Sequence, residues 1–474
     1  MIEHMTLEQM AEHVRLGTIT SVALVTHYLN VIDALNPSLN AIIQRPTREN
    51  ILREAQAADT MAAEGLKLGP LHGVPITVKD VLHVKGYTLS RGVAEFMGEA
   101  STVDATTVAR LRESGAIILG LTNVPELCMS FESNNLIYGR TNNPFDLTRT
   151  PGGSSGGEAA AIAAGLSPAG LASDAGGSVR IPAHFTGVCS LKLTQGRVPL
   201  TGQFPRERAG LFHHTSSFAV MARYVADLEL MARLIAGPDG HDPDTVDVPW
   251  TTEQLGTSTL RVAVVVETER LRISDSVRSV LTQVLPVIRD ITESLTEDCP
   301  EQFDEASEVM WRLFITGGDA AQGWKQLLKA IGKSESTPQL QGLIEMSEAV
   351  RPCALEVKQD WIAFDQFKYT LAAFFRQYDL LITPVYPDVA FKHGESLNDR
   401  SKYGFVFPFS LSGSPAVVLR AGIDRLTGMP VGIQIVAAHW QEARLLAFAR
   451  RLESVLPAWE PAQISEPAQV ASEA

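Results

Sequence analysis

The chain has 474 residues, 45% hydrophobic and 20% charged, which is ample apolar material for a sizeable core. Its formal net charge is −14, and an acidic surface repels phosphate backbones, so nucleic acid is not an expected partner. No apolar run reaches the roughly 18–20 residues of a membrane span, and the N-terminal MIEHMTLEQMAEHV lacks the apolar stretch of a signal peptide. Cys128, Cys189, Cys299 and Cys353 include no CxxC pair. The expectation is a cytoplasmic protein with no membrane partner and no structural zinc.

Thr6 and Gln9 read as a capping box opening a helix over 7–16. Ser21 reads as the cap of a second helix through 34, and a third is expected over 49–63. The period then changes. VPITVK at 74–79 and AIILGL at 116–121 are short runs bounded by Gly or Pro, as buried strands are, and a helix over 106–114 separates them. From 150 to 187 the composition shifts to Gly, Ser and Ala, with a small-residue helix over 158–165. Further strands are expected at 191–193, 261–266, 380–384, 416–419 and 431–436, and helices at 274–295, 305–331 and 442–456. This alternation implies one large α/β/α layered domain over 1–460. The tail 461–474, rich in Pro, Ala, Gln and Glu, is expected to be disordered.

The segment 150–182, TPGGSSGGEAAAIAAGLSPAGLASDAGGSVRIP, carries the chemistry. Its run Gly152–Gly157 places four glycines around Ser154 and Ser155. A second glycine turn, DAGGS at 174–178, leads into Arg180. There the amides of Ala175, Gly176, Gly177 and Ser178 can converge on one point, which makes an oxyanion hole beside a serine nucleophile. Ser178 then needs a base, and a His, a Lys or a carboxylate would each serve. A phosphate loop is disfavoured because GGSSGGE lacks both the Lys-Ser/Thr closure and GxGxxG spacing. No GxSxG elbow surrounds either serine. A purely structural role, in which small residues let a helix pack closely, is the bland alternative.

These residues resemble those of the amidase signature enzymes. PLHGVPITVKD at 70–80 is similar to that family's lysine strand. TNVPE at 122–126, GRTNNPFDLTRTPGGSSGGEAAA at 139–161 and ASDAGGSVRIPAHFTGVCSLKLTQGRV at 172–198 are similar to its signature core. SPAVVLRAG at 414–422 and MPVGIQIV at 429–436 continue the match, which is weakest over 240–370. The resemblance implies a central mixed, mostly parallel multi-stranded sheet. It also implies a Ser–cisSer–Lys triad, with Ser178 as nucleophile, Ser154 as relay and Lys79 as base. The base must be neutral, so burial has to lower its ordinary pKa of about 10.4. Cys128, in PELCMSFE, resembles an acyl-pocket position whose carbonyl contacts triad or substrate. Ser155, Asp174 and Arg180 are expected to support the loops. Specificity is assigned to a divergent region over about 300–410.

His72, His184, His213 and His214 show no ligand spacing, and hydrogen-bonding or surface roles are expected for them. Trp311, Phe314 and the aromatics of 403–409 are expected in core or pocket. Two positions depart from the family pattern: Ala175, where Thr or Ile is usual, and Thr186, where Cys is frequent. The expected activity is hydrolysis of the C–N bond of a linear amide, or of an acyl hydrazide, through a seryl acyl-enzyme. No metal or cofactor is expected, and a homodimer is left open. A glutaminase-type subunit of a tRNA-dependent amidotransferase is the alternative. Its members read GGSIRQP, whereas this chain has Ile181 in GGSVRIP. A non-catalytic scaffold is the third reading, disfavoured because all three triad positions are present.

Overall fold

The computed structural model describes residues 2–203, 210–250 and 259–464. Its strands are β1 Ile42–Gln44, β2 Pro75–Lys79, β3 Ile117–Thr122, β4 Asn134–Asn135, β5 Gly139–Arg140, β6 Ala169–Asp174, β7 Cys189–Lys192, β8 Ser217–Ala222, β9 Arg261–Val264, β10 Ser294–Glu297, β11 Leu380–Pro384, β12 Ala416–Ile423 and β13 Pro430–Val436. Eleven of them form one sheet in the order β1-β3-β2-β6-β8-β7-β12-β13-β11-β9-β10, while β4 and β5 make a small separate ribbon. Helices cover the sheet, giving the expected α/β architecture.

The sheet is mixed, as expected, but it is not mostly parallel. Six of its strand contacts are antiparallel and four are parallel. Parallel pairing is confined to β3-β2-β6 and to β11-β9-β10. Between these blocks, β12 turns straight back through 424–429 into β13, and β8 lies between β6 and β7 antiparallel to both. The short β12–β13 turn forces those two strands to be antiparallel, whereas parallel pairs need crossovers.

The amphipathic helices fall where the capping signals put them. Thr6 and Gln9 form the capping box of Leu7–Arg15. Thr20, one residue before the expected Ser21, caps a helix that runs on to Leu39. The helix expected at 274–295 stops at Asp290, and β10 follows. The helix expected at 305–331 is three pieces: Phe303–Val309, a π-helical Met310–Ile315 and Gln322–Ala330. Gly317 and Gly318, both with positive φ, lie in the break. Strand β6 carries no sequence signal of its own, since AGLASD is poor in β-branched residues; burial along its whole length holds it in the sheet. Of the tail, the Ala462 N–H donates to the Ala163 carbonyl at 2.8 Å. Residues 465–474 lie outside the described residues.

Strands β2 and β6 run parallel and adjacent, with Lys79 closing one and Asp174 the other. Ligand crevices of open α/β sheets form at this C-terminal end of the strands.

Candidate active site

Three segments converge at the C-terminal ends of β2 and β6. Lys79 ends β2 and is completely buried. Its Nζ hydrogen-bonds Ser154 Oγ at 2.7 Å, with Ser173 Oγ at 3.3 Å and the Ser173 carbonyl at 3.4 Å. Ser154 precedes the helix Gly156–Ala163, and the Gly153–Ser154 peptide bond is cis. Burial lowers the Lys79 pKa, while Cys128, Asp174 and Glu158 act in the opposite direction. No carboxylate pairs with the amine directly among the described residues, so desolvation dominates.

Ser178 stands across from Ser154 on the turn that follows β6. The Ser155 N–H donates to the Ser178 carbonyl at 3.1 Å, and Ser155 Oγ donates to the Ser173 carbonyl at 3.4 Å. Ser155 therefore ties the two loops together. The Asp174 carboxylate holds the turn from below: it accepts from the Gly177 N–H at 2.8 Å and the Val179 N–H at 3.2 Å. Gly177 has φ +99°, and a Cβ there would come within 2.8 Å of Val406 Cγ2, so only glycine fits.

Arg180 clamps the same carboxylate through Nε at 3.0 Å and Nη2 at 2.9 Å. Its remaining donors reach the Val406 carbonyl, Gln434 Oε1 and Ser410 Oγ. Both side chains of this pair are fully buried. Burial pushes Asp174 up, but the Arg180 charge and these hydrogen bonds outweigh it and hold the group at about 2.

The amide set differs from the expected one at Gly177, whose N–H is committed to Asp174. Among the described residues the N–H groups of Ala175, Gly176 and Ser178 have no acceptor within the protein. Gly177 shapes the loop, and the uncommitted amides belong to its neighbours. Ala175, Gly176, Ser154, Ser173 and Ser178 all line one cavity of about 320 Å³.

The rest of that cavity is largely apolar. Leu127, Met129, Phe131, Met310, Trp311, Ile315, Trp324, Leu327 and Leu343 line it. Among the described residues, no Lys, Arg, Asp or Glu side chain lines it. Cys128 lies in the wall, presented by left-handed backbone at both Leu127 (φ 54°) and Cys128 (φ 60°). Its thiol neighbours Lys79 and Ser154, and burial raises its pKa, so it is a neutral wall group.

Trp311 lines the cavity as expected, with its indole N–H donating to the Arg400 carbonyl at 3.1 Å. Phe314 packs away from it against Trp361 and Phe364. Tyr403 is buried and stacks on Phe131. The histidines serve elsewhere: His72 reaches the Ala58 carbonyl, His184 the Asp388 carbonyl and the Gly432 amide, His213 pairs with Asp244, and His214 meets the edge of Trp361. Sequence reasoning missed Ser173 and most of the apolar wall. The wall residues come from separated helices and loops and share no motif.

Known proteins show the same arrangement of chain. The family described as Amidase matches residues 23–446. An acylamidase of Rhodococcus erythropolis is 34% identical over 446 residues, covering 90% of each chain. Fatty-acid amide hydrolase 2-B of Danio rerio is 31% identical over 95% of this chain and 89% of its own. A glutamyl-tRNA(Gln) amidotransferase subunit of Chloroflexus aurantiacus is 32% identical over 94% of this chain and 95% of its own. Among solved structures, 6-aminohexanoate cyclic dimer hydrolase superposes with a TM-score of 0.82 at 26% identity, covering 97% and 99% of the two chains. Fold and comparisons together define a class: a hydrolase of carbon–nitrogen bonds other than peptide bonds. The chain belongs to the amidase signature family.

Proposed function

We propose that Ser178 is the acyl-forming nucleophile, that Ser154 relays its proton and that neutral Lys79 is the base. The substrate would be an uncharged amide or hydrazide with a bulky apolar acyl or aryl group. The observation that carries this reading is the 2.7 Å contact between the Lys79 amine and Ser154, at the floor of an apolar cavity that Ser178 also lines. Lys79 draws a proton through Ser154 as Ser178 Oγ attacks the carbonyl carbon. The tetrahedral oxyanion is held by amides of Ala175, Gly176 and Ser178. The relay then returns the proton to the leaving nitrogen, the C–N bond breaks, and water hydrolyses the ester left on Ser178.

The cavity wall disfavours the glutaminase alternative. A free amino acid brings an ammonium and a carboxylate into the site, and burying each without a charged partner is costly. Among the described residues, no charged side chain lines this cavity to meet them. The test is a rate series on purified protein with amides, hydrazides and esters of graded acyl length, beside glutamine. Rising kcat/KM with apolar acyl size supports the proposal. Glutamine as the best substrate would overturn it.

A further inference from the structure

Behind Lys79 lies a second ionisable group that the reaction scheme does not use. Glu158 belongs to the helix Gly156–Ala163 and is completely buried. Its Oε1 accepts from Thr77 Oγ1, and its Oε2 accepts from Thr122 Oγ1 at 2.9 Å. The place is built for this carboxyl: a Cβ on Gly170 would fall 1.8 Å from Glu158 Oε1, so a side chain there is excluded.

All three neighbours of Glu158 are in register with Lys79. Thr77 is two residues before Lys79 on β2 and projects from the same face. Thr122 pairs directly with Lys79 across β2 and β3, and Gly170 pairs with Thr77 across β2 and β6. The carboxyl thus lies beside the face of β2 that carries Lys79, without an ion pair between them.

We infer that Glu158 is a positioning residue that acts through Lys79, its charge setting the acidity at which the amine becomes the neutral base. The inference rests on Lys79 being that base. A carboxylate on this face favours the ammonium form, and a carboxylic acid there does not. Glu158 is itself poised between the two forms, because burial pushes it up to about 7 against the two threonine hydrogen bonds and the Lys79 charge. Both forms can be accommodated. Thr122 Oγ1 also lies 3.5 Å from the Val78 carbonyl, an alternative acceptor when a protonated Glu158 turns its own O–H towards the hydroxyl.

The other groups that act on Lys79 are accounted for. Asp174 is held as an anion by Arg180, with Lys192 contributing, and the Cys128 thiol is pushed up by burial. Asp80, next along the chain after β2, accepts from the Ser90 and Arg91 amides and the Ser90 hydroxyl. It is likewise pushed up to about 7, but it is not among the charges that shift Lys79.

The test is the pH profile of kcat/KM in the full-length protein for the wild type, Glu158→Gln, Thr122→Val and the double variant. Glu158→Gln removes the anion, so the acid limb should move to lower pH, by at most roughly one unit because Cys128 and Asp174 act on the amine more strongly than Glu158 does. Thr122→Val removes a donor to the carboxylate, raises the Glu158 pKa and should move the limb part of the way. The double variant should match Glu158→Gln. Should Glu158→Gln fail to fold, Thr122→Val and an infrared titration of the Glu158 carboxyl in the wild type carry the decision. Rate loss at every pH with an unmoved limb in the variants would overturn the inference and leave Glu158 a packing group. Lys79→Arg, measured alongside, separates this from failure of the base assignment: an Arg variant that keeps the wild-type limb condemns the base itself.

Discussion

The floor and the outer wall of the cavity are made in opposite ways. The floor consists of Lys79, Ser154, Ser155 and the turn 174–180, from three short segments at adjacent strand ends, and its side chains are tied to one another by directional hydrogen bonds. The wall around Met310–Ile315 and Gln322–Ala330 is apolar side chains on a π-helical turn and a short helix that buries no residue completely. A small separate cluster of Val93, Leu127 and Leu340, with Trp324 and Leu327 packed on it, seats this wall. A buried pair, Lys333 with Glu126 at 2.7 Å, pins it to the Cys128 loop. The floor is specified by directional bonds and tolerates little change. The wall is specified by volume, which many sequences satisfy.

This contrast is sharpest at Ser178. Ser178→Ala should lower turnover at least about a thousandfold and leave the fold and substrate binding intact, since in the proposed mechanism it removes the attacking oxygen and little else. Turnover and thermal melting on one preparation check this. A stable variant retaining more than about a hundredth of the wild-type rate would break the division.

The next effect is on stability. Arg180→Ala strips the buried Asp174 carboxylate of its cation and should cost about 3–5 kcal/mol in urea unfolding. The pH sign follows from Asp174 being held at about 2. Its folded pKa lies below the unfolded value of about 3.9, so its contribution is full above that value and is lost as pH falls towards 2. The wild type should lose this increment over that window. The Arg180 variant should not, and its activity should fall along with its stability because the turn loosens.

The smallest effect belongs to the wall. Trp324→Ala should raise KM about tenfold for amides with long apolar acyl groups, matching the loss of roughly 1.5 kcal/mol of burial. It should leave kcat for a short acyl amide unchanged. Equal loss on short and long substrates would mean that Trp324 supports the floor and that the two regions are not separable.

The same contrast explains what could be inferred from sequence. GGSSGGE and DAGGS stand out because glycine and serine at these densities have few other uses, and they lie close together in one run. Lys79 carries no such mark; only its likeness to a known strand distinguished it from other lysines. Gly177 looked like an oxyanion donor, but the Asp174 carboxylate that takes its amide lies three positions back, a contact that spacing alone does not reveal. Glu158 looked like one more helix residue, because the threonines that receive it are on strands 36 and 81 positions away. The wall was obscured for the same reason: the 305–331 pattern read as one helix, and its break at 316–321 follows from packing and two glycines. The sheet was visible strand by strand where residues are β-branched, and its direction was misjudged where strands return without a crossover.

The central claim is that a buried, uncharged Lys79 works through Ser154 on Ser178. The most direct measurement is the acylation rate of Ser178 by a chromogenic amide, from about pH 5 to about pH 10, for the wild type and Lys79→Arg. The account predicts that the wild-type rate rises with one ionisation well below the free-lysine value of about 10.4. It predicts that the Arg variant is slower by a factor of about a thousand or more with that ionisation gone, because guanidinium stays protonated. An Arg variant with near wild-type rates and the same pH profile would contradict it, leaving Lys79 as a positive charge and the base elsewhere.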